Sequence, residues 1–152
     1  CSIMDRVYSD LPYSFDNFLD DICLYMDIPR ITVYTGSPFK LIRVSGKMSE
    51  DYELIMKNSE YVNNENYLDR FDKKGFFLLN NVDFFKVNAP DVYEQLKNMN
   101  IFSLVQFKTQ DLSGDDLLIS FESIGKSAPW NPQTIKYLNL LVKTTPLLDI
   151  KY

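Results

Sequence analysis

Few residues in this chain can do chemistry, and histidine is not among them: the 152 residues contain none. Without imidazole there is no His-based triad, no proton shuttle, no histidine-ligated haem and no His-rich zinc site. Two cysteines remain, Cys1 and Cys23. Cys23 falls inside an apolar helical pattern and reads as a small buried hydrophobe. Two isolated cysteines build no disulfide framework, which favours a reducing compartment. The carboxylates Asp20-Asp21 and Asp115-Asp116 are paired only in sequence. Acid–base or metal chemistry needs groups that converge from several elements, so both pairs read as solvated. The sequence carries no Gly-rich phosphate loop and no nucleophile elbow. It therefore reads as a non-catalytic domain with no cofactor.

What is left are residues that bind rather than react. Eleven Phe, ten Tyr and one Trp can line an apolar pocket or pack a core. Phe76, Phe85 and Tyr93 are the aromatic candidates, Tyr93 with a polar tip that can orient a ligand. Asn80, Asn81 and Asp83 follow a buried strand. They either supply directional hydrogen bonds to a pocket or make ordinary turn bonds. Ser103 and Gln106 lie on a strand read as buried. An unpaired buried amide costs roughly 1–3 kcal/mol, so Gln106 needs a partner, and backbone is the first expectation. Arg43 is either an anion clamp or an exposed edge residue. The candidate ligand set is Phe76, Asn80, Asp83, Phe85, Tyr93, Ser103 and Gln106.

These residues need a framework to position them. With 45% hydrophobic and 24% charged residues, the composition is that of one folded domain. The net charge of −5 argues against nucleic acid and against an anionic membrane surface, since both favour basic patches. The pair Lys73-Lys74 is flanked by Asp69, Asp72 and Asp83. No run is long and apolar enough to span a membrane, and no signal peptide is visible. The expected location is the cytoplasm. Cys1 reads as the start of a fragment or as the lipidated end of a processed lipoprotein; the missing initiating Met fits an excised domain.

Residues 1–13 read as a polar, irregular extension stopped by Pro12, ahead of a folded domain over 14–152. Ser14 caps a helix to Met26, in which Phe15, Phe18, Leu19, Ile22 and Met26 form one apolar stripe. Strands follow at 31–34 and 39–44 around the turn Gly36-Ser37-Pro38. Residues 52–61 fit a strand or a short helix, and 62–75 a loop or mobile helix. A strand is predicted at 76–79, broken by Asn80-Asn81, then a helix over 90–99 with Pro90 in its first turn. Strands at 101–108 and 116–124 flank a turn at 111–115. A closing helix over 134–148 carries Ile135, Leu138, Leu141 and Val142 on one side, with Pro146 fraying its end. Clustered strands and flanking helices make an α+β fold with a mainly antiparallel sheet.

The second half resembles a GAF domain. The resemblance is carried by Phe76 to Asp83, by Tyr93-Glu94-Gln95-Leu96, and by Asn100 to Phe107. Gly114 in its turn, the strand Leu117 to Glu122, and Trp130 ahead of the last helix complete it. The most similar type is the GAF domain that precedes GGDEF-type diguanylate cyclases or histidine kinases. The resemblance implies a GAF-like, profilin-like antiparallel sheet of about five to six strands, with the first and last helices packed on one face. It implies a ligand pocket on the opposite face, roofed by residues 62–100. It further implies a sensor domain for an unidentified small molecule, a homodimer through the terminal helices and a covalently linked effector domain. Ile135, Leu138 and Val142 are the expected dimer stripe. Bilin-binding members carry a chromophore Cys, usually beside a His, and this pocket region has neither; haem and sulfoxide chemistry likewise lack their residues. The cyclic-nucleotide signature is absent as a motif. The alternative is a structural dimerisation module whose pocket is filled by its own side chains.

Overall fold

A computed structural model describes residues 2–9, 11–47, 51–126 and 130–152. Cys1, and the alternatives for its chemistry, lie outside the described residues. Among these residues the framework is a sheet of five strands, β1 (Arg30–Thr35), β2 (Lys40–Ser45), β3 (Phe76–Leu79), β4 (Ile101–Gln110) and β5 (Asp116–Ile124). They lie in the order β2-β1-β5-β4-β3, and every neighbouring pair is antiparallel. The central strands β1, β5 and β4 are buried on both faces.

Seven α-helices surround the sheet among the described residues: α1 (Ile3–Val7), α2 (Phe15–Met26), α3 (Tyr52–Lys57), α4 (Glu65–Leu68), α5 (Phe85–Asn88), α6 (Pro90–Asn98) and α7 (Pro132–Val142). α2 starts where expected because the Ser14 hydroxyl accepts the Asn17 N–H. It stops at Asp27, whose φ of 54° breaks the helix in the left-handed region. α7 is capped by Asn131. It ends at Val142 rather than 148, because Pro146 has no N–H to donate and its ring crowds the carbonyl four residues back. A 3₁₀ turn, Thr145–Leu147, takes over.

Alternation along the strands sends side chains to two faces. Ile31, Val33, Val105, Phe107, Leu117, Ile119 and Phe121 meet α1, α2 and α7 in one core. Tyr34, Leu79, Leu104 and Leu118 meet the segment 52–99 in a second core. The first and last long helices therefore share one face, as the resemblance implied.

Two segments differ from the sequence expectation, and the open alternative at 52–61 resolves as a helix. Residues 3–7 are helical rather than irregular, because Ser2 and Asp5 form a capping box and Ile3 is buried in the first core. Residues 52–61 become α3, capped by Asp51, followed by a 3₁₀ turn over Glu60–Asn63. After Asn80-Asn81, a 3₁₀ turn (Val82–Phe84) and α5 appear where no element was predicted. Asn81 caps that turn by accepting the Asp83 N–H.

Candidate functional site

The second face of the sheet is apolar at its margins and polar at its centre. Arg30 on β1 sits directly across from Glu122 on β5. Arg30 Nε donates to Glu122 Oε1 at 2.7 Å, and Thr32 Oγ1 donates to Glu122 Oε2 at 2.6 Å. Arg30 Nη2 donates to the Met99 carbonyl at 2.9 Å, at the end of α6. Glu122 is 0% exposed and Arg30 4%. Both carboxylate oxygens are engaged, as a buried charge requires.

Two residues along the strands lies a second polar centre. Gln106 Nε2 donates to the Tyr61 hydroxyl and to Ser120 Oγ, both at 2.9 Å. Gln106 Oε1 accepts from the Tyr67 hydroxyl. The amide is thus saturated by side chains, not by backbone as expected. Tyr61 comes from the 3₁₀ turn after α3 and Tyr67 from α4, so the hub joins the sheet to its roof. The rings of Tyr61 and Tyr67 meet edge to face at 5.1 Å, and Tyr67 also meets Phe77 and Phe85 at 5.3 and 5.6 Å.

Tyr34 follows two residues further along β1, across from Leu118. Its hydroxyl is fully enclosed and makes no hydrogen bond of normal geometry among the described residues. Burial, then the negative charge of Glu122, raises its phenol above the ordinary tyrosine range. Burial, followed by the neighbouring tyrosines, likewise raises Tyr61 and Tyr67. Tyr34, Tyr61, Tyr67 and Phe85 are all buried and fill the space between sheet and roof.

The predicted site residues divide. Phe85 and Gln106 are in this layer. Phe76 and Ser103 point through the sheet to the opposite face. Phe76 packs on Phe107 there, with ring centres 5.4 Å apart. Ser103 bonds Ser123 at 2.6 Å and accepts the Trp130 indole N–H at 2.8 Å. Trp130 is only half-buried. Tyr93 is half-buried on α6, while Asn80 and Asp83 are exposed on the outer side. Sequence reasoning missed Arg30, Thr32, Tyr34, Ser120 and Glu122. Their signal was polar residues at every second position within largely apolar strands: Arg30, Thr32, Tyr34 and Ser120, Glu122.

Other expectations are corrected by contacts. Asp21 is not simply solvated: it accepts from Arg6 Nη1 and from the Tyr13 hydroxyl, both at 2.6 Å. Its neighbour Asp20 turns away to accept from Ser45. Arg43 ties Asp16 at 2.8 Å and the Ile42 and Lys151 carbonyls, so it is a strap between elements. Leu138 and Val142 are buried beneath the sheet, with Ile135 packed beside them, so this stripe offers no surface for a dimer. Cys23 is buried, and burial pushes its thiol up to about 11. Among the described residues no group of three or more Cys, Asp or Glu could hold a metal, and no helix is long and apolar enough to cross a membrane.

No family model and no curated protein sequence matches the chain. Solved structures do match its fold. The photoproduct state of GAF3 from Slr1393 of Synechocystis sp. PCC6803 superposes with a TM-score of 0.67 at 15% identity, covering 95% of this chain and 91% of that one. The phycocyanobilin-bound GAF domain of a cyanobacterial phytochrome gives 0.66 at 11% identity, with 95% and 88% covered. A domain of a putative two-component sensor histidine kinase from Sinorhizobium meliloti 1021 gives 0.57 at 11% identity, with 84% and 83% covered. The chain has an α+β, GAF-like fold.

Proposed function

We propose that this GAF-fold chain is a non-catalytic regulatory sensor domain of a signalling protein, and that a small molecule binds between the sheet and the layer of residues 52–99. The observation that carries this reading is the polar set buried there: Arg30, Glu122, Gln106, Tyr61, Tyr67 and the Tyr34 hydroxyl, which makes no hydrogen bond among the described residues. A core that serves stability alone gains little from such groups, because each must be desolvated and paired. A binding site needs them, as a few fixed polar groups among aromatic walls set a ligand's orientation. The fold neighbours that carry phycocyanobilin or biliverdin support a ligand role for this architecture. Bilin itself is a poor fit here: the chain has no histidine, and Cys23 lies in the core on the opposite face.

In the closed form Tyr61 and Tyr67 occupy the ligand's place on Gln106, and binding displaces them. The roof can part because it is built from short pieces, none longer than the nine residues of α6. Isolated helices of that length are marginal, so their order depends on packing. Signal output would run through α2 and α7 to an effector domain, with exposed Leu24, Tyr25 and Leu140 available for pairing with a second copy.

One observation favours the second reading, a structural module: the interlayer space is filled by the chain's own rings. Native mass spectrometry of the purified chain separates the two. A discrete excess mass, shed on gentle activation and absent in Gln106→Leu, supports the sensor. A clean mass in both proteins, with no compound raising Tm in a metabolite screen, supports the structural module.

A further inference from the structure

β3 is an outer strand, with β4 on one side and no strand on the other among the described residues. Its register decides which backbone groups face out. The Lys108 N–H donates to the Gly75 carbonyl at 2.7 Å. Antiparallel alternation then makes 77/106 and 79/104 the bonded pairs, and turns the amides and carbonyls of Phe76 and Leu78 outward. Phe76 is already engaged: its N–H donates to Asp72 Oδ1 and its carbonyl accepts the Asp72 N–H, both at 2.9 Å. Leu78 keeps an outward N–H and C=O.

Beside this edge runs a groove of about 540 Å³, lined by Arg70, Phe77, Leu78, Asn80, Asn81 and Phe84. Phe84 gives it an apolar wall that is 50% exposed. The Arg70 guanidinium carbon lies 4.9 Å from the Phe84 ring centre and 5.2 Å from that of Phe85. Stacking on rings holds the guanidinium plane while leaving its N–H fork available to a carboxylate. No carboxylate pairs with Arg70 among the described residues, although the chain carries a net charge of −5. An anchored, unpaired cation beside an open strand edge is complementary to an acidic extended partner.

We propose that an extended peptide segment bearing an acidic side chain adds to β3 as a sixth strand. It exchanges backbone hydrogen bonds with Leu78, rests an apolar side chain on Phe84 and places its carboxylate on Arg70. Main-chain bonds supply affinity in this mode and the side-chain contacts supply specificity. The four-residue length of β3 and the Asp72 cap on its first half limit indiscriminate edge pairing. This surface is separate from the interlayer space and does not depend on a ligand there.

A displayed library of random linear peptides, selected on the whole chain, supplies the probe; the enriched peptide is then synthesised and titrated by fluorescence polarisation. The expected peptide carries Asp or Glu among β-branched residues. Its affinity falls by about tenfold or more in Arg70→Gln, as loss of a charge-assisted pair requires. N-methylation of successive peptide amides weakens binding at one position, the amide that donates to the Leu78 carbonyl, and not at its two neighbours, whose N–H groups point away from β3. That readout leaves the protein untouched, so misfolding cannot imitate it. Binding indifferent to Arg70→Gln overturns the proposal. So does dependence on Arg70 without one sensitive backbone amide, which would mean an anion site alone. A chain dimer that competes with the peptide and dissociates in Arg70→Gln would put a second copy on the edge and overturn it as well.

Discussion

The two faces of one sheet are built by different rules. The first is closed by two long helices, the twelve residues of α2 and the eleven of α7, over Ile, Val, Leu and Phe side chains. Its stability is area removed from water, which needs no particular partner for any one group. The second face is closed by short helices and turns over a polar centre, in which Arg30, Glu122 and Gln106 each depend on named neighbours. Packing tolerates replacement by shape; a buried hydrogen-bond network tolerates it only when every member is satisfied. The polar face is therefore the more specific of the two and the less robust.

Removing half of the buried pair is the hardest test of that difference. Glu122→Ala leaves Arg30 charged and enclosed, and should cost roughly 3–5 kcal/mol in urea melts. The double variant Arg30→Met with Glu122→Leu should recover much of this loss, because no charge is left behind. If the double variant is as damaged as the single, the pair is valuable for itself and the contrast between faces fails. On the apolar face, Phe18→Ala should cost about 3–5 kcal/mol through lost burial and the cavity left behind.

Smaller effects separate the members of the network. Gln106→Leu should cost about 1–3 kcal/mol, as the Tyr61, Tyr67 and Ser120 hydroxyls lose a shared partner. Tyr34→Phe should do the opposite and stabilise by about 1 kcal/mol, since it deletes a buried hydroxyl that makes no hydrogen bond among the described residues. A loss on Tyr34→Phe would show that the hydroxyl is satisfied in solution.

The buried phenols also fix a pH dependence. Folding raises Tyr34, Tyr61 and Tyr67, chiefly by burial. A group whose pKa rises on folding lends its stability below the unfolded value, roughly 10 for tyrosine, and that stability is lost as pH climbs beyond it. In an alkaline titration followed by tyrosinate absorbance, these three of the ten tyrosines should ionise only with unfolding. Reversible ionisation of all ten in the folded chain would contradict their burial. The smallest effect belongs to the apolar face. Trp130→Phe should cost about 1 kcal/mol, the worth of the hydrogen bond to Ser103.

The same contrast explains what was legible in the sequence. The apolar face could be read because helical and strand periodicity record burial directly: the stripe Phe15, Phe18, Leu19, Ile22 and the cap Ser14 were sufficient. The polar face could not, because Tyr61 and Tyr67 are far in sequence from Gln106, and pairing over that distance leaves no local period. Phe76 and Phe77 show the limit most simply. Adjacent in a strand, they face opposite cores, and only the register Phe77↔Gln106 tells which one reaches the network. Arg30 and Glu122 were visible as charges inside apolar strands, but their meaning rests on being cross-strand partners.

Hydrogen exchange of the ligand-free chain tests most directly whether the second face is a closed site that can open. Amides of α3, α4, α5 and α6 should exchange through an opening that costs much less than global unfolding, while those of α2, α7 and the central strands exchange only with it. Protection of all seven helices at one common free energy would mean that both faces form a single core, and would contradict a sensor whose roof parts to admit its ligand.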